Sequence, residues 1–127
     1  GRILRYDVIN DRQMSDLFTC LGEGFPKGAY VAALNYLPDG RLLATHGKAM
    51  IMLDEAGELL REYPFEGSGW SAIAPCRDGE HAFLGNIWLG IIIKMHLESG
   101  EIVTTLETEF KAPKRCLAGI AEYSGKA

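Results

Sequence analysis

The feature that most limits what this chain can become is that it resembles itself. The segment Gly1-Arg2-Ile3-Leu4-Arg5-Tyr6-Asp7-Val8 returns 89 residues later as Gly90-Ile91-Ile92-Ile93-Lys94-Met95-His96-Leu97. In that register Arg5 falls on Lys94, Leu17 on Leu106 and Thr19 on Thr108. Glu55-Ala56-Gly57-Glu58 matches Glu98-Ser99-Gly100-Glu101 at an offset of 43, and Pro38-Asp39-Gly40-Arg41 matches Arg77-Asp78-Gly79-Glu80 at an offset of 39. The long offset is about twice the short ones, so one unit of roughly 40–45 residues accounts for all three matches.

The unit reads as strands. Leu42-Leu43-Ala44-Thr45 and Ala82-Phe83-Leu84-Gly85 are short apolar runs following Asp-Gly turns. Met50 to Leu53, a turn at Glu55-Ala56-Gly57 and Glu58 to Tyr63 form a hairpin pattern. Ile91 to Leu97, Ser99-Gly100 and Glu101 to Leu106 repeat it with β-branched residues, which suit a pleated surface. Asp-Gly and Ser-Gly are expected where a tight turn must reach positive φ. Leu53 to Tyr63, rich in Glu, Leu and Arg, competes as a helix, but Gly57 and the β-branched second copy favour strand.

Four strands per unit, a to d, follow. The first full unit places them at Val31–Leu37, Arg41–Thr45, Ala49–Leu53 and Glu58–Pro64; the second at Ser71–Cys76, His81–Asn86, Gly90–Leu97 and Glu101–Thr108. Arg2–Val8 and Met14–Thr19 supply only c and d, and Leu117–Tyr123 only an a strand. The expected organisation is a single domain or fragment: a partial unit over 1–30, full units over 31–70 and 71–116, and an opening strand over 117–127.

An apolar a strand, a D-G turn, a b strand, an apolar c strand, an x-x-G turn and a d strand resemble the blade of a β-propeller. The likeness to NHL-type, YVTN-type and SMP-30/gluconolactonase-like repeats is carried by Leu37-Pro38-Asp39-Gly40-Arg41-Leu42-Leu43-Ala44 and by Ile93-Lys94-Met95-His96-Leu97-Glu98-Ser99-Gly100-Glu101-Ile102-Val103. It implies an all-β fold of four-stranded antiparallel blades in an incomplete ring, since propellers close with about four to eight blades. Either the chain is part of a longer protein or copies associate as a homo-oligomer to complete the ring; the b strand missing after residues 117–123 favours the first. A small β-sandwich or open sheet is the alternative architecture.

Composition narrows function by exclusion. Hydrophobic residues are 47% and charged residues 24% of the chain, a globular balance. The 13 basic and 17 acidic side chains leave a net charge of −4, which argues against nucleic acid as a partner. The cluster of Lys111, Lys114 and Arg115 reads as a solvated loop beside Glu107 and Glu109. The longest apolar stretch, Ile87 to Ile93, is far short of the ~20 residues a membrane helix needs, so no membrane partner is expected. Cys20, Cys76 and Cys116 show no framework spacing, and unpaired thiols point to a reducing, cytoplasmic setting.

No catalytic residue, metal ligand or cofactor is expected. The resemblance to SMP-30-like enzymes implies calcium or zinc ligands just before strand a, where this chain has Ala29 and Tyr30, Gly69 and Trp70, and Cys116 and Leu117. No histidine pair has metal spacing; His81 and His96 read as a strand-start and a strand-face residue. Gly67-Ser68-Gly69 is no nucleophile elbow, and Gly22-Glu23-Gly24 is no dinucleotide fingerprint. Four residues remain as ligand-binding candidates. His46 and Asn86 close their b strands, where they either orient a ligand or satisfy turns. Trp70 and the equivalent Tyr30 precede their a strands, where each either stacks on a ligand or packs between blades. The expectation is a binding or interaction module for a protein or small molecule; the alternative is a lactonase- or lyase-like enzyme whose site lies largely outside this segment.

Overall fold

A computed structural model describes residues 1–20, 25, 29–114 and 117–123. Every regular element among them is a strand: β1 Arg2–Ile3, β2 Tyr6–Asp7, β3 Arg12–Gln13, β4 Phe18–Thr19, β5 Ala33–Tyr36, β6 Leu42–Thr45, β7 Ala49–Leu53, β8 Leu59–Pro64, β9 Trp70–Pro75, β10 His81–Asn86, β11 Ile91–His96 and β12 Ile102–Glu107. Strands β5-β6-β7-β8 form one antiparallel four-stranded meander and β9-β10-β11-β12 a second. β1 pairs with β4 and β2 with β3, giving an N-terminal hairpin. Residues 53–63 hold a turn and a strand, with Gly57 at φ 89°. No helix among the described residues is long and apolar enough to cross a membrane.

Side-chain alternation explains why β6 and β7 are apolar at nearly every position. Ile51 and Leu53, with Leu42 and Ala44, face the N-terminal hairpin and pack with Ile3, Leu17 and Phe18. Leu43, Met50 and Met52 face the other way, onto Ile73, Ala82, Leu84, Ile93 and Met95 of the second sheet. The two central strands of the first sheet are thus buried on both faces. On the second sheet the alternate residues Phe83, Ile92 and Lys94 point away from the first, and they stay half-buried.

Glycines let each seam close. The β7–β8 turn lays Gly57 on the Leu17 carbonyl, so closely that a Cβ would overlap it. At the β11–β12 turn, Gly100 at φ 74° faces Arg61 and Tyr63 of β8. The Tyr63 hydroxyl donates to the Leu97 carbonyl at 2.6 Å, and Arg61 Nη1 donates to the carbonyls of Leu97, at 3.1 Å, and Glu98. The front end of the sheets carries the β6–β7 and β10–β11 turns and the connections entering β5 and β9. The remaining turns form the back end.

Candidate binding face

All four sequence candidates lie at the front end, at different depths. Tyr30 is 52% exposed, and its ring lies where a Cβ on Gly47 would meet it at 3.5 Å. Gly47, in the β6–β7 turn, also bridges to Trp70. His46, Trp70 and Asn86 are buried, at 3%, 6% and 0% exposure.

His46 closes its turn by donating its backbone N–H to Ala49 O. Its Nε2 lies 3.2 Å from Glu62 Oε1, and Phe25 stands edge-on to the ring. A neutral imidazole donating Nε2–H to that carboxylate has Nδ1 unprotonated, and Nδ1 has no partner. Trp70 stacks at 4.6 Å on Phe65 inside the seam between the sheets, and its Nε1 has no acceptor. Asn86 is consumed by its own turn: its Oδ1 accepts the N–H groups of Trp88 and Leu89, both at 3.0 Å, and its Nδ2 donates to Ser68 O. That local cap is what an Asx side chain supplies when a strand ends in a turn.

What these residues hold in place is more exposed than they are. Trp88 packs on Gly69, whose φ of 98° and close approach exclude any side chain. Leu89 and Phe110 are exposed beside it, and Phe110 adjoins Gly90. Tyr30, Trp88, Leu89 and Phe110 are thus exposed apolar side chains on the front-end turns and connections, Tyr30 over Gly47 and Trp88 over Gly69. Leu89 and Phe110 were invisible as site residues in sequence, because only the turn geometry at Asn86 and Gly90 brings them out.

Among the described residues, hollows open at the back end. One, of about 430 Å³, lies between the sheets and is lined by Arg41, Met52, Arg61, Tyr63, Glu80 and Leu97 among others. Another, of about 310 Å³, lies where the ends of β5 and β9 meet residues 120–122. Burial pushes the Tyr63 hydroxyl up from its ordinary pKa, so it stays a neutral donor. Burial likewise raises the thiols of Cys20 and Cys76, which marks them as unreactive. Cys116, Arg115 and Gly22-Glu23-Gly24 lie outside the described residues. His81 and His96, distant in sequence, are direct cross-strand partners with ring centroids 5.0 Å apart. Among the described residues, no group of three or more His, Cys, Asp or Glu is placed to hold a metal ion.

No protein-family model matches this chain, and no curated protein does. Solved structures do. The C-terminal WD40 domain of Sif2 aligns with 84% of this chain and 30% of its own at a TM-score of 0.66 and 15% identity. The β-propeller domain of Myceliophteria thermophila Cps50 (Swd1) aligns with 72% and 28% at 0.59 and 12%. The WD40 repeats of RRP9 align with 64% and 27% at 0.55 and 17%. This chain spans less than a third of the length of each. The likeness is one of fold: four-stranded antiparallel propeller blades in sheets that do not close a ring.

Proposed function

We propose that the chain is a binding module that presents its front end to a partner protein. The observation that carries this is that Tyr30, Trp88, Leu89 and Phe110 are all exposed at the front end, with Trp88 and Leu89 on a turn whose amides Asn86 holds. Rigid aromatic groups on a preorganised base lose little entropy on binding, and they dominate interface energetics. His46, Trp70 and Asn86 serve this face as its supports, and Tyr30 as a contact. The WD40 domains of Sif2 and RRP9 share the fold, which supports a scaffold role by analogy alone. The finer assignment to NHL-, YVTN- or SMP-30-like blades rests on the turn and strand pattern around Pro38-Asp39-Gly40 and Ser99-Gly100.

Immobilised wild-type chain is compared with Tyr30→Ala, Trp88→Ala and the back-end control Tyr36→Ala, each checked for sheet content by circular dichroism. A partner bound by wild type should lose roughly 30-fold or more in affinity with the Trp88 variant and keep its affinity for Tyr36→Ala. Loss confined to Tyr36→Ala would move the binding face to the opposite end.

A further inference from the structure

We propose that His81 and His96 form a two-imidazole site for a borderline divalent cation of the first transition row, Zn²⁺ being the reference case. His81 opens β10, His96 closes β11, and they occupy opposite positions in the antiparallel ladder, so both side chains leave the sheet on the same face. Their rings are 5.0 Å apart between centroids at an interplanar angle of 66°. Two imidazoles bound through Nε2 to one tetrahedral ion, with Zn–N about 2.0–2.1 Å, also bring their centroids to roughly 5 Å. The ring separation therefore matches that of a two-imidazole chelate.

The remaining ring nitrogens are already engaged. His81 Nδ1 lies 2.8 Å from Asp78 Oδ2, and His96 Nδ1 lies 2.9 Å from Ser99 Oγ. A ligating histidine usually has its second nitrogen tied to a carboxylate, a carbonyl or another oxygen, which sets the tautomer and the ring orientation. With Nδ1–H donated to Asp78, His81 presents an unprotonated Nε2. His96 Nδ1 accepts the Ser99 N–H at 3.2 Å, so the neutral ring carries its proton on Nε2, and a cation bound there displaces that proton or moves it to Nδ1 for donation to the Ser99 hydroxyl. Neither Nε2 has a protein partner among the described residues.

The repeat does not require this pair. In the first sheet Leu42 faces Leu53, which places Arg41 and Asp54 at the equivalent positions. There Arg41 pairs with Asp39, and Asp54 caps the following turn through the N–H groups of Ala56 and Glu58. In the second sheet Asp78 caps the β9–β10 turn through the N–H groups of Glu80 and His81. The protein thus supplies two donors, and the open coordination positions take water or a donor atom of a bound partner. Imidazole suits Zn²⁺, Ni²⁺ and Cu²⁺, whereas Ca²⁺ and Mg²⁺ prefer oxygen donors.

The test titrates the full chain with ZnCl₂ by calorimetry and follows the imidazole ¹⁵N resonances by NMR. One Zn²⁺ should bind with a dissociation constant of roughly 1–100 µM, with both Nε2 signals shifting together. His81→Gln and His96→Gln should each weaken binding about tenfold or more, and the double variant little beyond either, because one ring alone does not chelate. Asp78→Asn, which removes a positioning carboxylate, should weaken it about tenfold. Unchanged affinity in both single variants would overturn the proposal by locating the metal elsewhere. So would Nε2 resonances unmoved in wild type at about 1 mM Zn²⁺, a result that does not depend on any variant folding.

Discussion

The seams between sheets are tested most directly by two alanines. Gly57 and Gly79 both hold positive φ, at 89° and 72°, in turns at the back end. A Cβ on Gly79 meets nothing within 4 Å, whereas one on Gly57 overlaps the main-chain carbonyl of Leu17. Gly79→Ala therefore carries only the backbone term, about 1–2 kcal/mol for an L-residue in the left-handed region. Alanine's restriction of the unfolded chain offsets roughly 0.4–1 kcal/mol of that. Gly57→Ala carries the same terms and adds displacement of a carbonyl that cannot rotate aside, about 1–3 kcal/mol for overpacking. At about 4 °C per kcal/mol for a chain of this size, Gly79→Ala should lower Tm by about 4 °C and Gly57→Ala by about 8–16 °C. Thermal denaturation followed by circular dichroism measures both. Thiol labelling adds a local readout, because Cys20 is buried on the hairpin side of the first sheet and only Gly57→Ala should speed its reaction. Equal destabilisation by the two alanines would refute the close docking of this turn on the preceding hairpin.

Three further outcomes follow from single contacts. Tyr63→Phe should cost about 0.5–1.5 kcal/mol in urea denaturation, because the Leu97 carbonyl keeps its bond from Arg61; with Arg61→Ala added, the loss should exceed the sum of the two. Asn86→Ala strips the cap from the Trp88 and Leu89 amides and should cost about 1–3 kcal/mol, with faster hydrogen exchange at those two amides. Asp78 is held below the ordinary carboxylate pKa, first by the Glu80 N–H and then by His81. Its contribution is therefore present above about pH 4 and lost as pH falls through the lower folded value, so Asp78→Asn should lose less stability than wild type on acidification from about pH 4 to about pH 2.

What could be read in the chain beforehand was whatever local chemistry decides. Gly40, Gly79 and Gly100 announce their turns because no other residue adopts positive φ so cheaply, and Gly57 breaks the helical pattern of residues 53–63. The doubling of apolar residues in Leu42-Leu43-Ala44 and Met50-Ile51-Met52-Leu53 reported burial, but not which neighbour each side chain meets. Depth at the front end was hidden for a related reason. The ladder slips beside Ser71, so Asn86 faces Trp70 while Gly85 faces Ala72, and Trp70 turns into the seam. His81 and His96 were hidden most completely, since only the β10–β11 register makes them neighbours.

The front end also shows why the buried candidates and the exposed side chains belong to one design. Front-end turns bring their backbone against the entries to a strands: Gly47 accepts the Trp70 N–H of the next sheet, and Gly69, entering β9, accepts the Ile87 N–H from the β10–β11 turn of its own sheet. Such contact is possible only where side chains are absent, so both positions are glycine, and the space above them goes to a neighbouring ring. Tyr30 takes it over Gly47, and Trp88 takes it over Gly69. Polar side chains beneath, Asn86 on its turn amides and His46 on Glu62, satisfy groups that this tight approach removes from water. The aromatic exposure at this end is thus a consequence of how the front-end backbone is packed, and the same packing fixes the turns that carry it.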